Sequence, residues 1–148
     1  MRNILHFAWY TAPYGGSFIN QIVKLKDELV KNKYNLILIL PIIVSNEKWC
    51  VDLMDKNIID IRFIKEKSKN EKRKKEIEQI IDAENPILIH SHFGMIENEL
   101  IKICKRKKIA FVYHSRAELP KANNFCQKIK YYIKYAIFYK GVYIVRIK

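Results

Sequence analysis

Apolar residues in this chain follow two rhythms that alternate from end to end. Residues 3–9 (NILHFAW), 36–44 (LILILPIIV), 58–64 (IIDIRFI), 86–90 (PILIH), 109–114 (IAFVYH) and 141–147 (GVYIVRI) form short, almost unbroken apolar runs. They have the length of strands and the continuous apolarity of strands covered on both faces. Only the third, with Asp60 and Arg62, suggests a partly exposed strand.

Between these runs the apolar residues recur at helical spacing. From Ser17, read as an N-cap, Phe18, Ile22, Leu25 and Leu29 share one face while Lys24, Asp27 and Lys31 point away. Ser45 is expected to cap a shorter helix ending near Lys56. Residues 68–83 form a charged helix anchored by Ile77, Ile80 and Ile81, and further stripes run through Ile96, Leu100, Ile103 and Cys104 and through Ala122, Phe125, Ile129, Ile133 and Ala136. Strands and helices in strict alternation predict an α/β fold: a Rossmann-like three-layer sandwich with a mainly parallel sheet of about six strands. Residues 1–148 read as one such domain, with no internal repeat and no linker.

In open α/β sheets ligands bind beyond the carboxyl ends of the strands. Three predicted strands carry unusual residues there: YTAPYGGSF after the first, HSHFG at the end of the fourth and YHSRAE at the end of the fifth. Gly15 and Gly16 allow a tight turn and close backbone approach, and the following helix aims free N–H groups and its positive dipole end at the same spot. The pair suits a phosphate or a sugar hydroxyl, or simply makes the turn before a helix. It is not a dinucleotide fingerprint, because the GxGxxG spacing is absent.

Composition narrows the partners. The chain has 148 residues, is 49% hydrophobic and carries a formal net charge of +13, which favours an anionic partner: a phosphorylated small molecule, an acidic membrane surface or nucleic acid. Cys50, Cys104 and Cys126 are widely spaced and odd in number, as expected of reduced thiols in a cytoplasmic protein. No signal peptide is expected, and the longest uncharged apolar run, 36–44, contains Pro41 and is about half the length that spans a bilayer.

The segments ILHFAWYTAPYGGSFINQIVKLKDELVKNKYNLILILP, PILIHSHFG and IAFVYHSRAEL, in that order and spacing, resemble the N-terminal domain of glycosyltransferase family 4, whose members have the GT-B architecture of two Rossmann-like domains facing across a cleft. The resemblance covers nearly the whole chain. It implies an acceptor-side domain of a retaining, metal-independent glycosyltransferase that moves a sugar from a nucleotide sugar to a saccharide or lipid-linked acceptor in cell-surface polysaccharide synthesis. By position, it implies that His114 is the catalytic histidine contacting the transferred sugar, and that Gly15, Gly16, Ser17, His92, Arg116 and Glu118 bind substrate. No cofactor is implied beyond the nucleotide sugar as donor.

The family's members run to more than twice this length, and their second domain grips the donor. The expectation is therefore a domain incomplete at its C-terminal end and inactive alone, whose donor-binding half is a further domain or a partner chain. Two histidines at i, i+2 can share a metal and His114 can join them, yet the sequence offers no evident fourth ligand; no metal is expected.

Two basic segments remain. Residues 62–76 hold eight Lys/Arg against three acidic residues and read as a solvated helix face. In the last helix Lys128, Tyr131, Lys134, Tyr135 and Phe138 share a face that suits membrane headgroups or docking of a second domain. With Phe93 and Met95, these aromatic residues are expected to face water in the isolated chain. The predicted location is cytoplasmic, with peripheral attachment to the inner face of the cell membrane. The alternatives are a non-catalytic, membrane-associated subunit of a split glycosyltransferase, or a basic nucleic-acid-binding module. The latter is disfavoured, since no nucleic-acid-binding signature is present.

Overall fold

The computed structural model describes residues 1–65, 67, 71–93, 96–115 and 143–146. The elements alternate as the pattern requires: β1 (Arg2–Ala8), α1 (Gly16–Lys31), β2 (Tyr34–Pro41), a 3-10 turn (Ile42–Val44), α2 (Lys48–Asp55), β3 (Asp60–Ile64), α3 (Glu71–Glu84), β4 (Leu88–His92), α4 (Glu97–Lys107), β5 (Ala110–Ser115) and β6 (Tyr143–Arg146). Six strands form one sheet in the order β3-β2-β1-β4-β5-β6. Every pair is parallel. The order reverses between β1 and β4, and such a reversal opens a crevice at the carboxyl ends of the two strands.

Period-two alternation splits each central strand between two cores. Ile4, Ala8, Leu36, Leu38 and Leu40 face Phe18, Ile19 and Ile22 of α1 and Cys50 and Leu53 of α2. Leu5, Phe7, Ile37, Ile39, Ile89 and Phe111 face Ile77 and Ile81 of α3 and Leu100, Ile101, Ile103 and Cys104 of α4. This two-sided burial is why the strands read as unbroken apolar runs. Cys50 and Cys104 are both buried free thiols and sit in opposite cores, so they cannot pair with one another.

Several boundaries differ from the sequence expectation. The α1 N-cap is Gly15, whose carbonyl accepts the Ile19 N–H at 3.2 Å; Ser17 lies in the first turn, exposed, because the glycine pair has already turned the chain. The buried face of α1 includes Ile19 and leaves Leu25 at its edge, 37% exposed. Ser45 closes the 3-10 turn with its N–H on the Ile42 carbonyl, and α2 starts only after Glu47. The fourth strand runs from Leu88 to His92 instead of 86–90, so both histidines lie within it. The helix expected over 122–136 lies outside the described residues.

Arg73 departs most from expectation. In place of a solvated position in the basic run, it is 1% exposed, with Nη2 donating to Glu99 Oε1 at 2.6 Å and its guanidinium 5.3 Å from the centre of the Trp9 ring. The pair ties α3 to α4 beneath the carboxyl end of β1. A buried charge is tolerated when a counter-charge and an aromatic face replace its hydration.

Candidate functional site

All four histidines of the chain meet on one face of the sheet. His6 lies between Ile4 and Ala8 on β1 and shares the α1-side face with them by strand alternation. The parallel register pairs His6 with His90, Ala8 with His92 and His92 with His114, which carries that face across β4 to β5. The ring centroids are 4.3 Å apart for His6 and His90, 5.6 Å for His6 and His92, 5.7 Å for His90 and His92, 6.0 Å for His90 and His114, and 4.0 Å for His92 and His114. Candidate ligand atoms of His90, His92 and His114 lie within 4.8 Å of one another.

Burial keeps much of this cluster uncharged. The His6 imidazole is held well below the usual histidine range, chiefly by desolvation and then by repulsion from His90, His92 and His114. His90 is pushed down to about 4, again by burial first and by His114 second. His6 is completely buried, and neither ring nitrogen has a hydrogen-bond partner among the described residues. The sequence reading passed over His6 because it stands in an apolar strand far in sequence from the other three. Only its register against β4 reveals it.

A shell of aromatic rings connects the histidines to the glycine turn. The Phe18 ring lies 5.2 Å from His92 and 4.8 Å from Phe93, and Tyr10 lies 5.0 Å from Phe18. The Tyr10 hydroxyl donates to the Tyr14 carbonyl at 2.7 Å, with the Gly15 carbonyl at 3.3 Å, while Trp49 Nε1–H donates to the Ala12 carbonyl at 3.2 Å. Gly16 has φ +55°, a left-handed conformation costly for a residue with a Cβ. A Cβ on Gly15 would approach Trp49 Cβ to 3.3 Å. Both positions therefore call for glycine on grounds of packing as well as any ligand.

Phe93 follows β4 with φ +66°, uncommon for a bulky residue and of the kind that collects at functional sites. The turn swings its ring over His92, at 4.6 Å, and into the aromatic shell. Phe93 was expected to face water in the isolated chain; it is instead half-buried against Phe18 and Tyr10. Gly15, Gly16, His92 and His114 thus line one edge of the sheet through a chain of ring contacts, with Ser17 exposed beside them. Arg116, Glu118, Lys128, Tyr131, Lys134, Tyr135 and Phe138 lie outside the described residues, as do Met95 and Cys126.

Fold and site together define a Rossmann-like α/β domain with its polar chemistry at the switch point. Over 99% of its length the chain superposes on part of a glycosyltransferase from Rickettsia africae ESF-5, with a TM-score of 0.70 and 20% identity over 36% of that chain. It superposes likewise on MurG from Acinetobacter baumannii, with a TM-score of 0.61 and 11% identity over 41% of that chain. The dTDP-glucose 4,6-dehydratase rfbB from Bacillus anthracis str. Ames, in complex with NAD, gives a TM-score of 0.57 and 15% identity over 54% of its chain. At these identities the likeness is one of fold, and the chain spans between about a third and about a half of each. No protein-family model matches the sequence. No curated protein matches it.

Proposed function

We infer that this domain is the acceptor-side wall of a sugar-transfer cleft, working in an enzyme that moves a sugar from a nucleotide sugar to a saccharide or lipid-linked acceptor in cell-surface polysaccharide synthesis. The observation that carries the reading is the convergence of the Gly15–Gly16 turn, His92 and His114 at the carboxyl edge of the sheet, in a fold shared with two solved glycosyltransferases. His114 hydrogen-bonds the transferred sugar. The free N–H groups at the start of α1 hold a phosphate or hydroxyl oxygen. The adjacent glycines lack the spacing of a dinucleotide fingerprint, which favours sugar transfer over the NAD chemistry of the third fold neighbour.

Transfer needs contacts to donor and acceptor together, because only groups placed against both can stabilise the transition state. These residues supply one wall, and the donor's diphosphate and base are gripped by a second domain or a partner chain. Trp49 reports on the site because its Cβ packs beside Gly15 and its ring lies 5.7 Å from that of Tyr10. In Trp9→Phe protein, saccharide acceptors are expected to change Trp49 fluorescence, and Gly16→Val is expected to abolish the change. A flat titration across acceptor saccharides and nucleotide sugars would overturn the reading. With a donor-binding domain supplied, His114→Ala should cut turnover while circular dichroism stays unchanged; full activity would remove His114 from the site.

A further inference from the structure

We propose that His6, His90, His92 and His114 form a site for a divalent transition metal of the zinc class, bound through four imidazole nitrogens on the α1-side face of β1, β4 and β5. Four imidazoles around one tetrahedral ion at a metal–nitrogen distance of about 2.0–2.1 Å place neighbouring ring centroids roughly 5 Å apart. Of the six ring pairs in this cluster, five have centroid separations that run from 4.0 to 6.0 Å and bracket that value. The ligand atoms of His90, His92 and His114 already lie within 4.8 Å of one another, and the His6 ring adjoins two of them, at 4.3 Å from His90 and 5.6 Å from His92 between centroids.

His6 is the second, independent observation. A fully buried imidazole whose nitrogens find no hydrogen-bond partner among the described residues carries a desolvation cost of about 1–3 kcal/mol. Coordination satisfies one nitrogen directly. Burial also suits the ligating form, which is the neutral imidazole: His6 is completely buried and His92 is 5% exposed. Among the described residues no carboxylate or thiol joins this group of candidate ligands, so its donors are all nitrogen, a set that suits zinc, copper or nickel over magnesium or calcium. Sequence alone withheld the site because its fourth member sits in a different apolar run.

The proposal does not rest on the glycosyltransferase reading. If that reading holds, an ion here occupies His92 and His114 and withdraws them from the sugar, so added zinc should inhibit transfer instead of supporting it. The ion also links three neighbouring strands, and binding to the folded state alone raises stability by mass action.

The test uses the purified 148-residue chain, stripped with chelator and titrated with Zn²⁺ against a chromophoric competitor and with Co²⁺ by visible absorption. One equivalent of Zn²⁺ is expected to bind and raise the melting temperature. Co²⁺ should give the intense d–d bands of a tetrahedral complex, and X-ray absorption should count four nitrogen neighbours. His92→Gln and His6→Gln should each weaken Zn²⁺ binding by more than the roughly 10- to 100-fold that loss of an outer-shell partner costs. His6→Leu removes the buried polar atoms and keeps the core apolar, so it should fold and still lose affinity. Absence of one-to-one binding in the wild-type chain would overturn the site. Unchanged affinity in the folded His6→Leu protein would overturn the four-imidazole set.

Discussion

Gly16 concentrates two demands at one position: a left-handed backbone and space beneath the Tyr14 and Tyr10 side chains. Gly16→Val should cost roughly 1–2 kcal/mol from the backbone alone, since a Cβ in this region clashes with the following carbonyl. Urea denaturation would measure it, and a variant as stable as wild type would show that the turn relaxes freely. The two described cysteines give a second prediction at this scale. Burial pushes the Cys50 thiol up to about 11 and the Cys104 thiol up to about 12, so both stay protonated at pH 8, and only thiolate reacts at an appreciable rate. Peptide mapping after iodoacetamide treatment should find both unmodified in the native protein and alkylated in urea. Modification of either in the native state would show that its core opens.

Among the elements, α3 and α4 are joined by the most demanding contact. Arg73 and Glu99 side chains are 2% and 11% exposed, and a buried ion pair broken on one side typically costs about 3–5 kcal/mol, because the remaining charge loses its counter-charge. Glu99→Ala should therefore be severely destabilising, while Arg73→Met with Glu99→Leu should recover most of the loss. A double-mutant cycle showing additive effects would rule out coupling between the two helices. The element boundaries show what periodicity carries. Apolar rhythm placed every described strand within three residues at either end, since continuous runs and helical stripes are local properties of the chain. It missed the burial of Arg73, because an arginine in a lysine-rich run looks like its neighbours until α4 brings Glu99 against it. It also set β4 two residues early, with Pro86 as a false start, and so ended the strand at His90 and left His92 beyond it, where the structure keeps both within the strand.

For the whole molecule, charge and fold point to surface behaviour. Among the described residues no helix is long and apolar enough to cross a membrane. With a net charge of +13, the chain should adsorb to vesicles containing phosphatidylglycerol and not to neutral ones, and adsorption should fall as salt rises from about 0.05 to 0.5 M, where the Debye length shrinks to a few ångströms. Flotation assays measure this. Binding that is insensitive to salt would shift the explanation from charge to apolar contact.

The sequence by itself determined the α/β class, the two-sided burial of the sheet and the gathering of glycines and histidines at strand ends, because these follow from short-range pattern and from the rule that ligands sit at carboxyl edges. The tertiary structure alone decided which residues share the site. The register of β1 against β4 and of β4 against β5 brings His6 to His90 and His92 to His114. Strand register is fixed by packing both faces of the sheet at once, a collective condition that no local window of sequence contains.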